Sequence, residues 1–300
     1  MSGTYVSSIA RWTIAALVAA IGVVVGAEGA VAGPWVKSPG KSYLKISGEL
    51  FDSGRTFDVE GQAMEAMPAY SHIGVRSYGE VGIVPRISLG WSLPFLIATN
   101  TLEDGRSFRR LGLGDLDLRA DVQIVDGTCA VAGELEARIP LYGETVGVGD
   151  QATASMNGSD AERYRPILGD GSHELAPGLA AGCGFGIGWA RASAGPRFRF
   201  DGFGDGIDWS VGAGAYLWPD RLALQIGASG LERFTAHDPR PTKRFASARA
   251  GLLVNVAAGI AIEGGAGYTF DGAFVAAGWS GAVGVSYPGR LFPDPFGNDS

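Results

Sequence analysis

The sequence predicts an all-β protein: an up-and-down antiparallel transmembrane β-barrel of about twelve strands, preceded by a signal peptide. Three observations carry this. Apolar and polar residues alternate with a period of two, most clearly in Gly114–Leu141, which is the period of a strand with one oily and one wet face. The 300 residues include 48 glycines and 15 prolines, and mean hydropathy is only +0.13. After residue 32 no apolar window reaches the roughly 18 residues that a membrane helix needs. Long polar connections also alternate with short turns, as a meander through a membrane requires.

The chain opens with a segment that reads as a secretory signal. Arg11 supplies a positive start, Trp12–Gly26 an apolar core, and Ala30-Val31-Ala32 a small-residue cleavage site. An uncleaved anchor is the alternative. The expected organisation is then a signal peptide over 1–32, a periplasmic lead-in over 33–41, a barrel over 42–287 and a periplasmic tail over 288–300.

Strand one is expected over Tyr43–Phe51, with Leu44, Ile46 and Leu50 on its apolar face. Asp52–Ala69 reads as a polar loop. Strand two is Tyr70–Gly82, and Val84-Pro85 turns the chain into strand three, Arg86–Ile97. A basic loop, Ala98–Leu113, precedes the clearest hairpin. Its first arm sets Leu116, Leu118, Ala120, Val122 and Ile124 against Asp115, Asp117, Arg119, Asp121 and Gln123. Asp126-Gly127 is a hairpin signal, because both central positions of a type I′ turn need positive φ. A two-residue turn would put Val125 opposite Thr128, Arg119 opposite Glu134, Asp115 opposite Arg138, and Asp117 opposite Glu136. Each arm is about the length that crosses a bilayer when tilted.

Tyr142–Ser172 is the longest connection. It has no period of its own, and a loop of this length suits the extracellular mouth of a barrel, into which it is able to fold. Six further strands follow the hairpin's second arm after this loop: His173–Phe185, Trp189–Phe200, Ile207–Leu217, Arg221–Ser229, Phe245–Val256 and Ile260–Phe270. Phe274–Tyr287 closes the set. Gly178, Ala180, Gly182 and Gly184 form a small inner face that leaves room in the lumen. Aromatics at strand ends (Phe95, Tyr142, Phe185, Trp189, Phe200, Tyr216, Trp218, Phe270 and Tyr287) match interfacial girdles. A soluble barrel would show the same alternation with its faces exchanged. The signal, the girdles and the loop lengths favour the membrane, where unpaired backbone groups force strands to close on themselves.

The inward parity carries the candidate functional residues. One set is Arg76, Glu80, Asp115, Asp117, Arg119, Asp121, Glu134, Glu136 and Arg138; it reads either as a path for solutes or as a mutually neutralising ladder. Arg191, Arg197, Arg199 and Arg249 form a cationic face opposite, and opposed charges across a pore set ion preference. Cys129 and Cys183 fall near the periplasmic rim of neighbouring strands, and export permits a disulfide; the alternative is two unpaired cysteines. His72, His173 and His237 are too scattered to suggest a zinc site. Ser71-His72 and Ser172-His173 are neighbours on strands and so point to opposite faces, which does not suit a nucleophile and base. Neither a catalytic residue nor a cofactor is expected. The net charge of −7, with no basic stripe, argues against nucleic acid.

GEVGIVPRISLGWSLPF (79–95) and GLGDLDLRADV (112–122) resemble the outer-membrane family named for the MetA pathway of phenol degradation. The matching residues are Tyr78, Glu80, Gly82, Gly90, Leu93 and Pro94, then Gly112, Gly114 and Asp115. The resemblance implies an outer-membrane channel or transporter for small molecules, aromatic or otherwise hydrophobic ones among them. The expected function is therefore passive passage of small solutes through a barrel in the outer membrane of a Gram-negative bacterium. Its partners would be outer-membrane lipid, a small solute and the barrel-assembly machinery. The alternatives are a plugged structural or surface-interaction barrel and a lipid-modifying enzyme.

Overall fold

The structure, a computed structural model, describes residues 34–142, 163–200, 203–219, 221–234, 243–257 and 259–290. Thirteen strand segments occur among them: β1 (Lys41–Phe57), β2 (Ala63–Val84), β3 (Ile87–Thr101), β4 (Ser107–Leu113), β5 (Asp115–Val125), β6 (Cys129–Pro140), β7 (Glu174–Phe185), β8 (Gly188–Arg199), β9 (Gly206–Trp218), β10 (Leu222–Arg233), β11 (Arg244–Ala257), β12 (Ile260–Ala273) and β13 (Ala276–Arg290). Apart from β4 and β5, which do not pair with each other, sequence neighbours pair antiparallel, and β1 pairs with β13 from Lys41↔Arg290 to Thr56↔Ala276, which closes the barrel. β4 and β5 both pair with β3 and are two halves of one wall strand, so the barrel has twelve strands. The break follows from Pro94, which has no N–H to give; its carbonyl instead accepts the Gly114 N–H at 2.9 Å.

The faces are inverted relative to a soluble protein. Outward residues are apolar and uncovered: Ile46 is 64% exposed and Ile226 59%, with Leu50, Val75, Leu118, Ile124, Leu179 and Val285 alike. Buried residues on the inner side are ionisable: Glu80, Asp121, Glu174, Arg197, Arg199 and Glu263 are each under a tenth exposed. A closed wall, oily outside and charged within, is the construction of bacterial outer-membrane barrels, and it places the protein in that membrane. Short turns mark the periplasmic end and the long connections the extracellular end.

Several segments differ from the sequence expectation. The expected loop Asp52–Ala69 is largely strand, because β1 and β2 continue to a turn at 58–62. Alternation is invisible there, since above the membrane neither face needs to be apolar. Hydrogen bonding carries the pairing instead: Ser53 sits at a bulge and its hydroxyl donates to the Ala277 carbonyl at 2.8 Å. The Asp58 carboxylate then accepts the Glu60 and Gln62 N–H groups at 2.9 and 2.8 Å, fixing the turn. The basic loop Ala98–Leu113 shrinks likewise to a turn at 102–106 between β3 and β4. At the other end, β13 runs on to Arg290.

The β5–β6 register is two residues away from the expected one. Asp126–Thr128 connects the arms, and a bulge lies between Gln123 and Val125, so Arg119 faces Glu136, Asp117 faces Arg138, and Asp115 faces Pro140. The Gln123 side-chain amide stabilises the bulge by donating to the Val125 and Val131 carbonyls, at 2.6 and 3.2 Å. The like-charge pair therefore falls on Asp121 and Glu134, not on Asp117 and Glu136. Two expected girdle residues also turn inward. Trp189 is buried over Gly214 with its ring 5.4 Å from that of Tyr216, and the Tyr142 ring packs beside Leu96, Ala98 and Leu168.

Cys129 and Cys183 are direct cross-strand partners of β6 and β7, joined by a disulfide that closes a separation of 54 residues. The bond cross-links the two strands that bound the long extracellular loop. Replacing both with Ser should leave a folded barrel, because the β6–β7 ladder runs on from Ala130↔Gly182 to Arg138↔Glu174. Stability should fall by about 2–4 kcal/mol, the usual contribution of a bond closing a loop of this length. Urea unfolding in detergent, monitored by heat-modifiable migration, checks this; an unchanged midpoint would show that the bond constrains nothing that the ladder does not.

Candidate functional site

The lumen is the candidate site. Period-two alternation delivers carboxylates to it from β5 and β6 and guanidiniums from β6, β8 and β11. They form two connected groups and two smaller separate ones. Near the periplasmic half, Arg119 holds Glu80 at 3.2 Å and Asp121 at 3.1 Å, with Glu134 at 4.0 Å. The Tyr78 hydroxyl donates to Glu80. In the extracellular half, Arg138 contacts Asp117 at 2.7 Å, Glu174 at 3.3 Å and Asp170 at 3.4 Å. Arg197 bonds Glu174 at 2.7 Å and Glu136 at 2.9 Å and also pairs with Asp208, while Arg199 bonds Glu174 at 2.8 Å. On β1, β2 and β12, Arg76 pairs with Glu49 at 2.7 Å and donates to the Ser92 hydroxyl at 3.0 Å, and Lys45 pairs with Glu263, which also accepts from the Tyr43 hydroxyl. Removing one partner of a buried pair typically costs about 3–5 kcal/mol, so these side chains act as sets.

Two segments fold into this lumen from opposite ends. At the periplasmic end the lead-in, 34–40, runs inside the wall. Pro34 is fully buried, the Val36 N–H donates to the Gln123 side-chain oxygen at 2.8 Å, and the Trp35 indole N–H donates to the Gly127 carbonyl at 3.3 Å. Lys37 approaches Glu80 at 3.8 Å. A Cβ on Gly82 would lie 2.1 Å from the Ser38 carbonyl oxygen, so only glycine lets this segment pass. The small inner face of β7 is partly filled by it, since Pro34 and Trp35 lie against Gly182.

At the extracellular end, residues 163–173 turn inward. Leu168 is buried against Leu96 and Ala98, the Tyr70 hydroxyl donates to the Ile167 carbonyl at 3.2 Å, and Asn100 donates to the Tyr164 carbonyl at 3.0 Å. Asp115 accepts the Asp170 N–H at 2.8 Å and the Tyr142 hydroxyl at 2.9 Å. Asp170 in turn pairs with Lys243 and Arg138. The rest of the long loop, 143–162, lies outside the described residues. A row of rings, Phe51, His72 and Tyr70, continues the inner wall beside this cluster.

Beside Pro34 of the periplasmic insertion lies a cavity of about 350 Å³, lined by Arg119, Glu134, Glu136, Arg191, Arg197 and Arg249 among others. Thus Glu134, Glu136 and the cationic residues Arg191, Arg197 and Arg249 meet in one space, with Arg119 between them. Asp115, Asp117, Arg138 and Arg199 instead anchor the extracellular segment, and Arg76 stands apart with Glu49. Sequence reasoning missed Glu174, Asp208, Lys45 and Glu263, although all lie on the inward parity of their strands. It also missed Lys37 and Asp170, whose segments have no periodicity to read. Among the described residues no three His, Cys, Asp or Glu side chains are grouped to hold a metal; His237 lies outside them.

No protein-family model matches the sequence, and no curated protein matches it. Among solved structures, the fold is similar to the COG4313 outer membrane channel from Pseudomonas putida F1, with a TM-score of 0.64 and 13% identity over 87% of this chain and 99% of that one. More distant are the KdgM porin in complex with disordered oligogalacturonate (TM-score 0.47, 6% identity, 82% of this chain and 98% of that one) and the CymD monoaromatic hydrocarbon channel (TM-score 0.42, 8% identity, 86% and 90%). At these identities the likeness is one of fold: a closed outer-membrane barrel.

The Asp170 anchor generates a pH prediction. Burial alone would raise this carboxyl, but Lys243, Arg138 and Arg199 outweigh it and hold the group well below the usual carboxylate range. A depressed pKa in the folded state adds stability that is present above the unfolded value and lost as pH falls through the folded one. Backbone amides of 167–172 should therefore stay protected from hydrogen exchange at neutral pH and open only in strong acid. Asp170→Asn should expose them already at pH 7. Equal protection in the two proteins would show that Leu168 and the neutral hydrogen bonds hold the segment without the ion pairs of Asp170.

Proposed function

We propose that the protein is a passive outer-membrane channel for small solutes, constricted from both ends by inserted segments and able to take aromatic or otherwise hydrophobic molecules. The observation that carries this reading is the polar cavity of about 350 Å³ in the lumen, with Pro34 of the periplasmic insertion in its lining. Its size lies in the range of small-molecule pockets. The extracellular approach is partly apolar: Leu96, Ala98 and Leu168 with the rings of Tyr70 and Tyr142. A solute with an oily part would be desolvated there before meeting the charged middle. The resemblance of 79–95 and 112–122 to the phenol-degradation MetA-pathway family supports the same cargo class. Its fixed positions are also where the inserted segments touch the wall: Gly82 against Ser38, and Gly112 and Gly114 against Leu168. Lipid around the outer wall and the barrel-assembly machinery are the partners that this construction requires.

A second reading, a barrel plugged for a structural or surface role, is favoured by those same two insertions. Conductance separates the readings. The mature protein in a planar bilayer should pass small currents, and Gly82→Val and Leu168→Ala should each raise them severalfold, because the first drives 37–38 off the wall and the second loosens 163–173. A silent bilayer with the wild type and with both variants would establish the plugged barrel.

A further inference from the structure

The wall formed by β8 to β12 carries a pattern that the ion-pair groups do not absorb. Ser193, Ser210, Ser229, Ser247 and Thr269 are direct partners on five consecutive strands. Their hydroxyls touch in places, 2.8 Å apart for Ser193 and Ser210 and 2.9 Å for Ser247 and Thr269. Two residues nearer the periplasmic end, the next inward rung reads Arg191, Gly212, Gly227, Arg249. Two arginines therefore flank a gap of two glycines, directly below a row of hydroxyls. The Arg191 Nε lies 3.4 Å from where a Gly212 Cβ would be, and the Arg249 Nε 3.3 Å from that of Gly227. Both guanidinium arms thus lie along the wall over the glycines, toward each other.

Both arginines, with Ser193, Ser210 and Ser229, line the central cavity. The cavity's charged lining comprises four arginines and the three carboxylates Glu134, Glu136 and Asp208, an excess of one positive charge. Arg197 is committed to Asp208, Glu136 and Glu174, and Arg119 to Glu80 and Asp121. Arg249 forms no ion pair with a carboxylate among the described residues. Arg249 is exposed to the lumen, so its guanidinium is open to an anion, which an unpaired cation favours. Planar guanidinium groups match the two oxygens of a carboxylate, and charge-assisted hydrogen bonds of this kind are the strong ones.

We propose that this rung is a binding site for a small organic monocarboxylate. Its carboxylate lies between Arg191 and Arg249 and accepts from the serine row, and its organic part lies toward Ala176, Pro177, Ala180 and Pro34 on the other side of the cavity. A doubly charged phosphate fits less well, because the lining has one positive charge in excess and Glu134 and Glu136 face the same space. This rests on reading the lumen as a solute pathway, and it names the class of solute that the middle of that pathway selects.

The test is calorimetric titration of the mature protein in detergent with benzoate, benzyl alcohol and inorganic phosphate. Benzoate should bind and the other two should not compete. Arg249→Gln and Arg191→Gln should each weaken benzoate roughly tenfold, and Arg249→Lys should keep part of the affinity. Heat-modifiable migration shows whether each variant is folded. Where one is not, the three probes on the wild type still decide. Equal binding of benzoate and benzyl alcohol, no binding of benzoate, or unchanged affinity in folded glutamine variants would each overturn the site. A protein that binds benzoate but passes no current would instead overturn the channel reading and leave the site standing.

Discussion

Closure between β1 and β13 is the constraint on which the rest depends. A strand edge in hydrocarbon exposes donors and acceptors with no partner, at several kcal/mol each. The fourteen paired positions from Lys41↔Arg290 to Thr56↔Ala276 remove that edge. Once the wall is closed, alternation has only one consistent outcome: one face meets lipid and the other a narrow interior. Ile46 and Leu50 point out because Lys45, Ser47 and Glu49 must point in. The interior is then polar by geometry before any functional demand is placed on it.

A narrow interior makes its charges interdependent. Water reaches these side chains incompletely, so each charge needs a partner, and the partners come from different strands. Glu174 shows the pattern: it opens β7, receives Arg197 and Arg199 from β8, and also contacts Arg138 on β6. Such clustering is weak evidence for stability, since buried pairs recover little more than their desolvation cost. It is better evidence for fixed geometry, because moving one strand would strand several charges at once. Arg249 departs from this rule among the described residues, and with the glycine gap beside it the rung has room for something from outside.

The sequence made the wall legible and left its contents obscure, for a physical reason. Period-two alternation reports which face meets lipid, so every membrane-crossing strand was visible, as was the inward parity of Glu80, Arg119, Glu134 and Arg197. Above the bilayer the outer face has no need to be apolar, so the outer ends of β1 and β2 read as loop. Register depends on bulges: Gln123 shifts β5 against β6 by two residues through side-chain hydrogen bonds that no pattern advertises. The inserted segments were the least visible. Neither Pro34–Gly40 nor 163–173 has a period, and the ladder does not fix them. The one trace they left was glycine, at Gly82 and Gly114, where the wall gives up a side chain so that another backbone can approach.

The two insertions are held by different forces. Pro34–Gly40 is fixed mainly through its backbone: the Val36 N–H to Gln123, the Gly40 N–H to the Gly82 carbonyl at 2.9 Å, and a long Lys37–Glu80 pair at 3.8 Å. Neutral bonds of this kind contribute about 0.5–1.5 kcal/mol each. The extracellular segment combines apolar burial of Leu168 with Asp170 set between Lys243 and Arg138. Detaching the first requires that a few hydrogen bonds be exchanged with water. Detaching the second leaves Arg138 short of a carboxylate and uncovers Leu168, Leu96 and Ala98 together. The periplasmic insertion is therefore the more weakly held of the two.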